Sequence, residues 1–229
     1  ATSFQIPTDS MSPAILPGDN VLAEKLSLGG RIFNIFDAAD GKPVKINSPI
    51  EAMKQHIGFV TEDRKTQGLV LDFSIKENIM LANLEKGSKS GVIVPKIENE
   101  MAAKYIEQLR IRTSSADLAA GALSGGNQQK VVIAKWLGTN PEILILDEPT
   151  RGVDIGAKKE IYQIMNNLAE AGVSILMISS ELPEIIGMAD RVLVMQEGRV
   201  TGMVEKDAMT QENIMHYATG GDNNVGQAI

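Results

Sequence analysis

Residues 142–149 read EILILDEP, a stretch with no polar residue between Ile143 and Leu146 that ends on two acids. A strand with one wet face alternates apolar and polar residues, whereas an unbroken apolar run marks a strand covered on both faces, the habit of parallel sheets. Upstream, GNQQKVVIAKWLG (126–138) has helical spacing. Downstream, GAKKEIYQIMNNLAEAG (156–172) is an amphipathic helix closed by Gly172, and VSILMIS (173–179) is a second buried strand. Strand, helix, strand at this spacing is a βαβ unit. The pattern therefore predicts an α/β protein with a mainly parallel sheet and helices on its faces.

The same alternation extends both ways. IGFVTED (57–63) is a short strand leaving into a polar loop, and SIKENIMLANLEK (74–86) predicts a helix with Ser74 as N-cap and Glu77 three residues on. A polar break at GSKSG (87–91) leads to a helix near Ile97–Leu109. RVLVMQEGRVTGMVE (191–205) reads as two strands turned at Glu197-Gly198, followed by a helix over 210–218 capped by Thr210. The first forty residues differ in character: TSFQIPTDSMSPAILPGDN carries three prolines and no helical period. The expected organisation is a separate segment over 1–40, of which 1–27 either sits outside the main core or covers the gap left by a missing phosphate loop, an α/β body over 41–221 with a helical insert at 74–125, and a flexible tail over 222–229.

Composition narrows the function classes. Of 229 residues, 43% are hydrophobic and 22% charged, ordinary globular material. A net charge of −7 argues against a protein that coats nucleic acid or anionic lipid. The absence of cysteine removes thiolate metal sites and thiol catalysis and fits a reducing compartment. No apolar run approaches the ~18 residues needed to cross a bilayer, and no secretory leader is legible.

Two stretches carry the chemistry. In LSGGNQQ (123–129), Ser124, Gly125 and Gly126 open a helix, so unpaired backbone N–H groups and a hydroxyl sit at a positive dipole end suited to an anion. Standing alone, the stretch reads as an ordinary N-cap and turn. In ILILDEPTRGVD (143–154), Asp147 and Glu148 end a strand at the carboxyl edge, where parallel sheets bind ligands, or else are solvated acids closing it. Asp154 is placed to cap the next helix.

LSGGNQQK followed by ILILDEPTRGVDIGAKKEIY resembles the ATP-binding cassettes of ABC transporters. With TEDRK (61–65), MISSELPEIIGMADRVLVM (177–195) and MHYATGG (215–221), residues 41–221 look like the second cassette of the duplicated ATPases that serve monosaccharide importers. The resemblance implies an ABC ATPase cassette fold, with ATP and Mg²⁺ as cofactors. Ser124, Gly125, Gly126, Gln128 and Asp154 would serve nucleotide binding. Asp147 would hold Mg²⁺ through its water shell, and Glu148 would orient or deprotonate the attacking water. Another cassette and membrane permease subunits would be partners, at the inner face of the plasma membrane. Two positions depart from the family's most active pattern: Glu62 stands where the Q-loop glutamine is expected and Ser180 where the switch histidine is expected. A carboxylate near a γ-phosphate adds repulsion unless Mg²⁺, Arg64 or Lys65 offsets it, and serine lacks histidine's charge and reach.

A phosphate cradle of the form G-x-x-x-x-G-K-[ST] is missing from the sequence; GALSGGNQ (121–128), GDNNVGQA (221–228) and SLGGRIFN (27–34) lack its lysine. Isolated turnover is therefore expected to be weak, and an interaction module that completes another cassette's ATP site is the alternative to an autonomous ATPase. IPTDSMSPAILPGDNVLAEKL (6–26) resembles the nucleophile segment of type I signal peptidases, with Ser10 as nucleophile. No lysine-bearing strand or membrane anchor of that family accompanies it, so a serine peptidase is a remote alternative.

Overall fold

The computed structural model describes residues 46–220 and the backbone of Asn20–Glu24. In chain order the elements are β1 (Asn20–Glu24), α1 (Pro49–Lys54), β2 (Ile57–Val60), α2 (Ile75–Met80), α3 (Leu84–Gly87), β3 (Ser88–Lys89), β4 (Val92–Ile93), α4 (Pro95–Gln108) and α5 (Gly125–Leu137). There follow β5 (Ile143–Asp147), α6 (Ile155–Glu170), β6 (Ser174–Ser179), α7 (Leu182–Met188), β7 (Arg191–Gln196), β8 (Arg199–Glu205) and α8 (Gln211–Ala218). Short helical turns occur at Arg64–Gly68 and Ala120–Ala122.

The apolar run at 143–146 becomes the second strand of a six-stranded sheet ordered β2-β5-β6-β1-β7-β8, parallel except for the β7–β8 hairpin. β5 and β6 are adjacent, in register from Ile143 opposite Ser174 to Asp147 opposite Ile178. Strand periodicity divides the side chains. Leu144, Leu146, Ile175, Met177, Val192 and Val194 face a large core shared with α5 and α6, while Ile57, Ile145, Leu176 and Ile178 form a smaller cluster. Each fully buried Leu or Ile contributes roughly 1.5–3 kcal/mol of hydrophobic stabilisation.

Of the two placements expected for residues 1–27, the one outside the main core does not hold for residues 20–24, which lie within the sheet. β1 pairs with β6 from Asn20 opposite Ile175, and with β7 from Val21 opposite Arg191. Its VLA core is an apolar run short enough to be hidden by the proline-rich stretch before it. Ser10, the rest of the peptidase-like stretch, SLGGRIFN and the 222–229 tail lie outside the described residues.

The helix expected over 74–86 is broken. Ser74 and Glu77 form the anticipated capping box, but α2 stops at Met80. Asn83 is buried, and its amide donates to Ile79 O and Lys135 O, both at 2.9 Å, locking this turn against α5. The break at 87–91 is a β3–β4 hairpin whose central residues, Ser90 and Gly91, take the left-handed angles a two-residue turn needs. α1 was not anticipated. Its signal is present in Ser48-Pro49 with Glu51 three residues after the cap: Ser48 Oγ accepts from Glu51 N and Glu51 Oε2 accepts from Asn47 N.

Candidate nucleotide-facing site

The first turn of α5 is held open toward solvent. Ser124 is its N-cap, exposed and in an extended conformation, yet its side chain makes no bond to the helix backbone. Ser124 Oγ instead accepts from Asn127 Nδ2 at 2.9 Å, and Asn127 Oδ1 accepts from Arg112 N at 2.9 Å. The glycines that follow are required by packing. A Cβ on Gly125 would stand 2.7 Å from Arg64 Nη2 and 3.2 Å from Gly152 O, and one on Gly126 would stand 2.4 Å from Ala157 Cβ. α6 thus approaches α5 backbone to backbone, which brings its N-cap alongside. Asp154 Oδ1 accepts from Ala157 N at 3.0 Å, so the capping role of Asp154 is present. Ser124, Gly126, Asn127, Asp154, Arg112 and Glu160 line one small cavity of about 110 Å³.

Charge beside this cavity is paired. Buried Lys130 reaches Glu160 Oε2 at 2.7 Å and Arg110 O at 2.9 Å, while Arg112 reaches Glu160 Oε1 at 2.5 Å. The hydrogen bond from Lys130 is the main reason the Glu160 carboxyl is held below its usual range. What the cavity offers an anion is therefore the helix N-terminus and the polar tips of Ser124 and Asn127.

The TEDRK segment is held by partners distant in sequence. Arg64 donates to Arg151 O at 2.7 Å and Gly152 O at 3.0 Å, tying its own turn to the loop before α6. Gly152 has φ +65, a conformation that favours glycine. The cation on Glu62 is Arg151, in an ion pair at the rim of a cavity of about 380 Å³ also lined by Asp63, Arg64 and Lys65. At the other end of the Arg64–Gly68 turn, buried Lys135 donates to Gly68 O at 2.5 Å. The turn is gripped near both ends of α5.

Asp147 and Glu148 stand where β5 leaves the sheet. Glu148 is buried, has φ +47, and donates its N–H to Ile178 O at 2.9 Å. A left-handed glutamate costs roughly 1–2 kcal/mol and re-aims the side chain away from the strand direction. Ser180 is exposed immediately after β6, and both its flanks are pinned. Ser179 donates to Glu184 Oε2, Thr150 Oγ1 donates to Glu184 Oε1 at 2.8 Å, and Lys158 holds Glu181 at 2.6 and 2.8 Å. Tyr162 belongs to the same buried group; burial first, then the Glu184 charge, pushes its phenol up to about 12.

Of the residues singled out by sequence, Ser124, Gly126 and Asp154 meet at one cavity, with Gly125 beside them. Asp147, Glu148 and Ser180 gather at the carboxyl edge of β5 and β6. Glu62 lines the second cavity. Gln128 stands apart: it is buried, and its amide donates to Ala120 O at 3.2 Å, joining α5 to the preceding turn. Sequence reasoning missed Asn127, Arg151 and Glu184. Only Asn127 had a local signal, its spacing of three from the N-cap; the others act through contacts distant in sequence.

A sheet of this order, with helices on both faces and a signature turn opening α5, is the ABC ATPase cassette fold. A cassette titled as MJ1267, of an ABC transporter, superposes with a TM-score of 0.70 at 23% identity, covering 88% of each chain. A dimeric cassette titled as MJ0796 bound to ADP and Pi superposes with a TM-score of 0.66 at 22% identity, covering 84% of this chain and 87% of that one. The profile of the family described as ABC transporter matches residues 21–151, and the chain belongs to that family. It is 60% identical over 183 residues to a ribose import ATP-binding protein of Bacillus cereus, covering 80% of this chain and 37% of the relative. The counterpart from Geobacillus kaustophilus is 54% identical over 195 residues, 85% of this chain and 40% of its own. The chain thus spans about two-fifths of the length of these curated relatives.

Proposed function

We propose that this chain is a nucleotide-binding portion of a monosaccharide importer and that its Ser124–Gly126 turn caps ATP held on the phosphate loop of a partner cassette. The observation that carries this reading is the first turn of α5, where an exposed serine, two packing-enforced glycines and Asp154 converge on one cavity. The sugar-import role rests on the relatives, which are named as ribose import ATP-binding proteins. The trans arrangement fits a sequence without G-x-x-x-x-G-K-[ST], since the charge-assisted phosphate contacts of such a loop, ~1.5–3 kcal/mol each, then come from the partner.

Among the described residues no three acidic or imidazole side chains gather around a single point. This fits Mg²⁺, which takes one or two carboxylates, water and substrate phosphates. Asp147 is the residue that would hold it, with its hard oxygen at a strand end. When bound, the ion neutralises phosphate charge. Glu148, aimed by its left-handed backbone, is the candidate for orienting water, while the Glu62–Arg151 pair and Ser180 leave this chain's own centre weakly equipped. Exposed Val70, Phe73, Leu81 and Leu84, around α2 and α3, form the surface offered to membrane permease subunits.

The test is Mg-ATP hydrolysis by the purified chain alone, with a phosphate-loop-bearing cassette, and with that cassette plus the Ser124→Arg variant. Near-background activity alone and stimulation lost in the variant are expected. Robust Glu148-dependent turnover by the chain alone, or a partner indifferent to Ser124→Arg, sinks the reading.

A further inference from the structure

We infer that Asn127 is a positioning residue that sets the direction of the Ser124 hydroxyl, presenting it as a hydrogen-bond donor to a phosphoryl oxygen. The inference rests on the reading of Ser124 given above and deepens it. An asparagine amide has one oxygen, which only accepts, and one nitrogen, which only donates. The backbone N–H of Arg112 can only donate, and it lies 2.9 Å from one end of the Asn127 amide; that end must be Oδ1. Nδ2 is then forced toward Ser124 Oγ, at 2.9 Å, where it donates.

A serine hydroxyl carries a single proton and two acceptor lone pairs. One lone pair of Ser124 Oγ is taken by Asn127, and this is the only side-chain hydrogen bond of Ser124 among the described residues. Because the donated proton of Asn127 occupies the inward side of the oxygen, the hydroxyl's own proton is turned away from Asn127, toward the cavity lined by both residues and Asp154. A free N-cap serine usually spends its oxygen on accepting from the N2 or N3 backbone N–H. Here those N–H groups are left available, and the oxygen is reserved. The α5 end of the cavity therefore presents backbone N–H groups and one aimed O–H, while the two carboxylates that also line it already accept, Asp154 from Ala157 N–H and Glu160 from Lys130 and Arg112. A fully ionised phosphoryl group, which only accepts, matches that array.

The decisive property is that the role of Asn127 runs through Ser124. Asn127→Asp keeps an acceptor for Arg112 N–H but places a second acceptor against Ser124 Oγ, so the serine proton turns inward. Asn127→Ala removes the constraint and lets the hydroxyl rotate. Both variants are measured for Mg-ATP turnover by a phosphate-loop-bearing cassette, each in the native and in the Ser124→Ala background, with Ser124→Arg as reference. Asn127→Ala should lower stimulated turnover about 3- to 10-fold, the worth of one hydrogen bond. Asn127→Asp should lower it more. In the Ser124→Ala background, Asn127→Ala should change turnover less than about 2-fold, and the loss from Asn127→Asp should shrink to its charge effect.

Equal losses in both backgrounds would overturn the positioning role while leaving the Ser124 reading intact. Indifference of the partner to Ser124→Arg would instead overturn the reading on which it rests. If Asn127→Ala does not fold, the Asn127→Asp cycle decides alone, because that side chain retains the Arg112 bond. An unchanged turnover in Asn127→Asp overturns the inference.

Discussion

Replacing Gly126 by alanine should destabilise the protein through a single contact. The new Cβ would sit 2.4 Å from Ala157 Cβ, whereas ordinary contact begins at 3.4 Å, so α5 and α6 must separate by about 1 Å at their closest approach. Forcing a methyl into a filled interior costs ~1–3 kcal/mol. An overlap of about 1 Å belongs in the upper part of that range, ~2–3 kcal/mol, so after the ~1 kcal/mol at most that alanine returns through its helix propensity a net loss of ~1–2 kcal/mol remains. For a chain of this size each kcal/mol moves Tm by ~2–4 °C, so calorimetry should show a fall of ~2–8 °C. Gly187 is the control: no atom lies within 4 Å of its added Cβ, and Gly187→Ala should be neutral or raise Tm by ~1–4 °C. Ala157→Gly clears the space, so the double variant should recover at least ~1 kcal/mol relative to additivity. A Gly126→Ala protein as stable as its parent, or strict additivity with Ala157→Gly, would refute the close helix approach.

Two further outcomes concern titration. The difference in phenolate absorbance between the protein and Tyr162→Phe should titrate near 12 and move down in Glu184→Gln; titration of Tyr162 near 10 would remove it from the buried Glu184 group. Burial lowers the Lys135 pKa from 10.5 in the folded state, so between the folded value and 10.5 the unfolded chain binds the extra proton and stability rises with pH. The stability of the protein relative to Lys135→Met, from urea midpoints, should accordingly increase as pH approaches 10.5, and a flat difference would contradict a desolvated ammonium.

The buried strands and long helices were legible because their signals are local. An unbroken apolar run at 143–146 and an amphipathic period over 156–170 each specify an element without reference to the rest of the chain. The break after Met80 was not, because it is caused by Asn83 reaching Lys135 O, and no nearby residue announces that bond. β1 escaped for a related reason: three apolar residues after a proline-rich stretch become a strand only between β6 and β7. At the site, the resemblance proposed Ser124, Gln128, Asp147, Glu148 and Asp154; Ser124 and Asp154 share one cavity and Asp147 and Glu148 a strand end, whereas helical geometry turns Gln128 inward and leaves Asn127 beside Ser124. The ion pair of Glu62 with Arg151 was not legible, because the two residues are 89 apart in sequence, nor were the bonds of Arg64 to the carbonyls of residues 151 and 152.

The position of β1 bears on how the protein reaches its fold. Asn20 meets Ile175 and Val21 meets Arg191, so β1 pairs only with strands that lie on the order of 150 residues further along the chain. Closing a loop on the order of 150 residues is an entropic cost met before the pairing repays it, the circumstance that makes parallel sheets slow to assemble. β2, β5 and β6 can pair without β1, and β7 with β8 can form a hairpin alone, but only β1 joins the two sets. Insertion of β1 is therefore expected to be a late step of folding, and a chain halted before it would expose two open sheet edges to its neighbours.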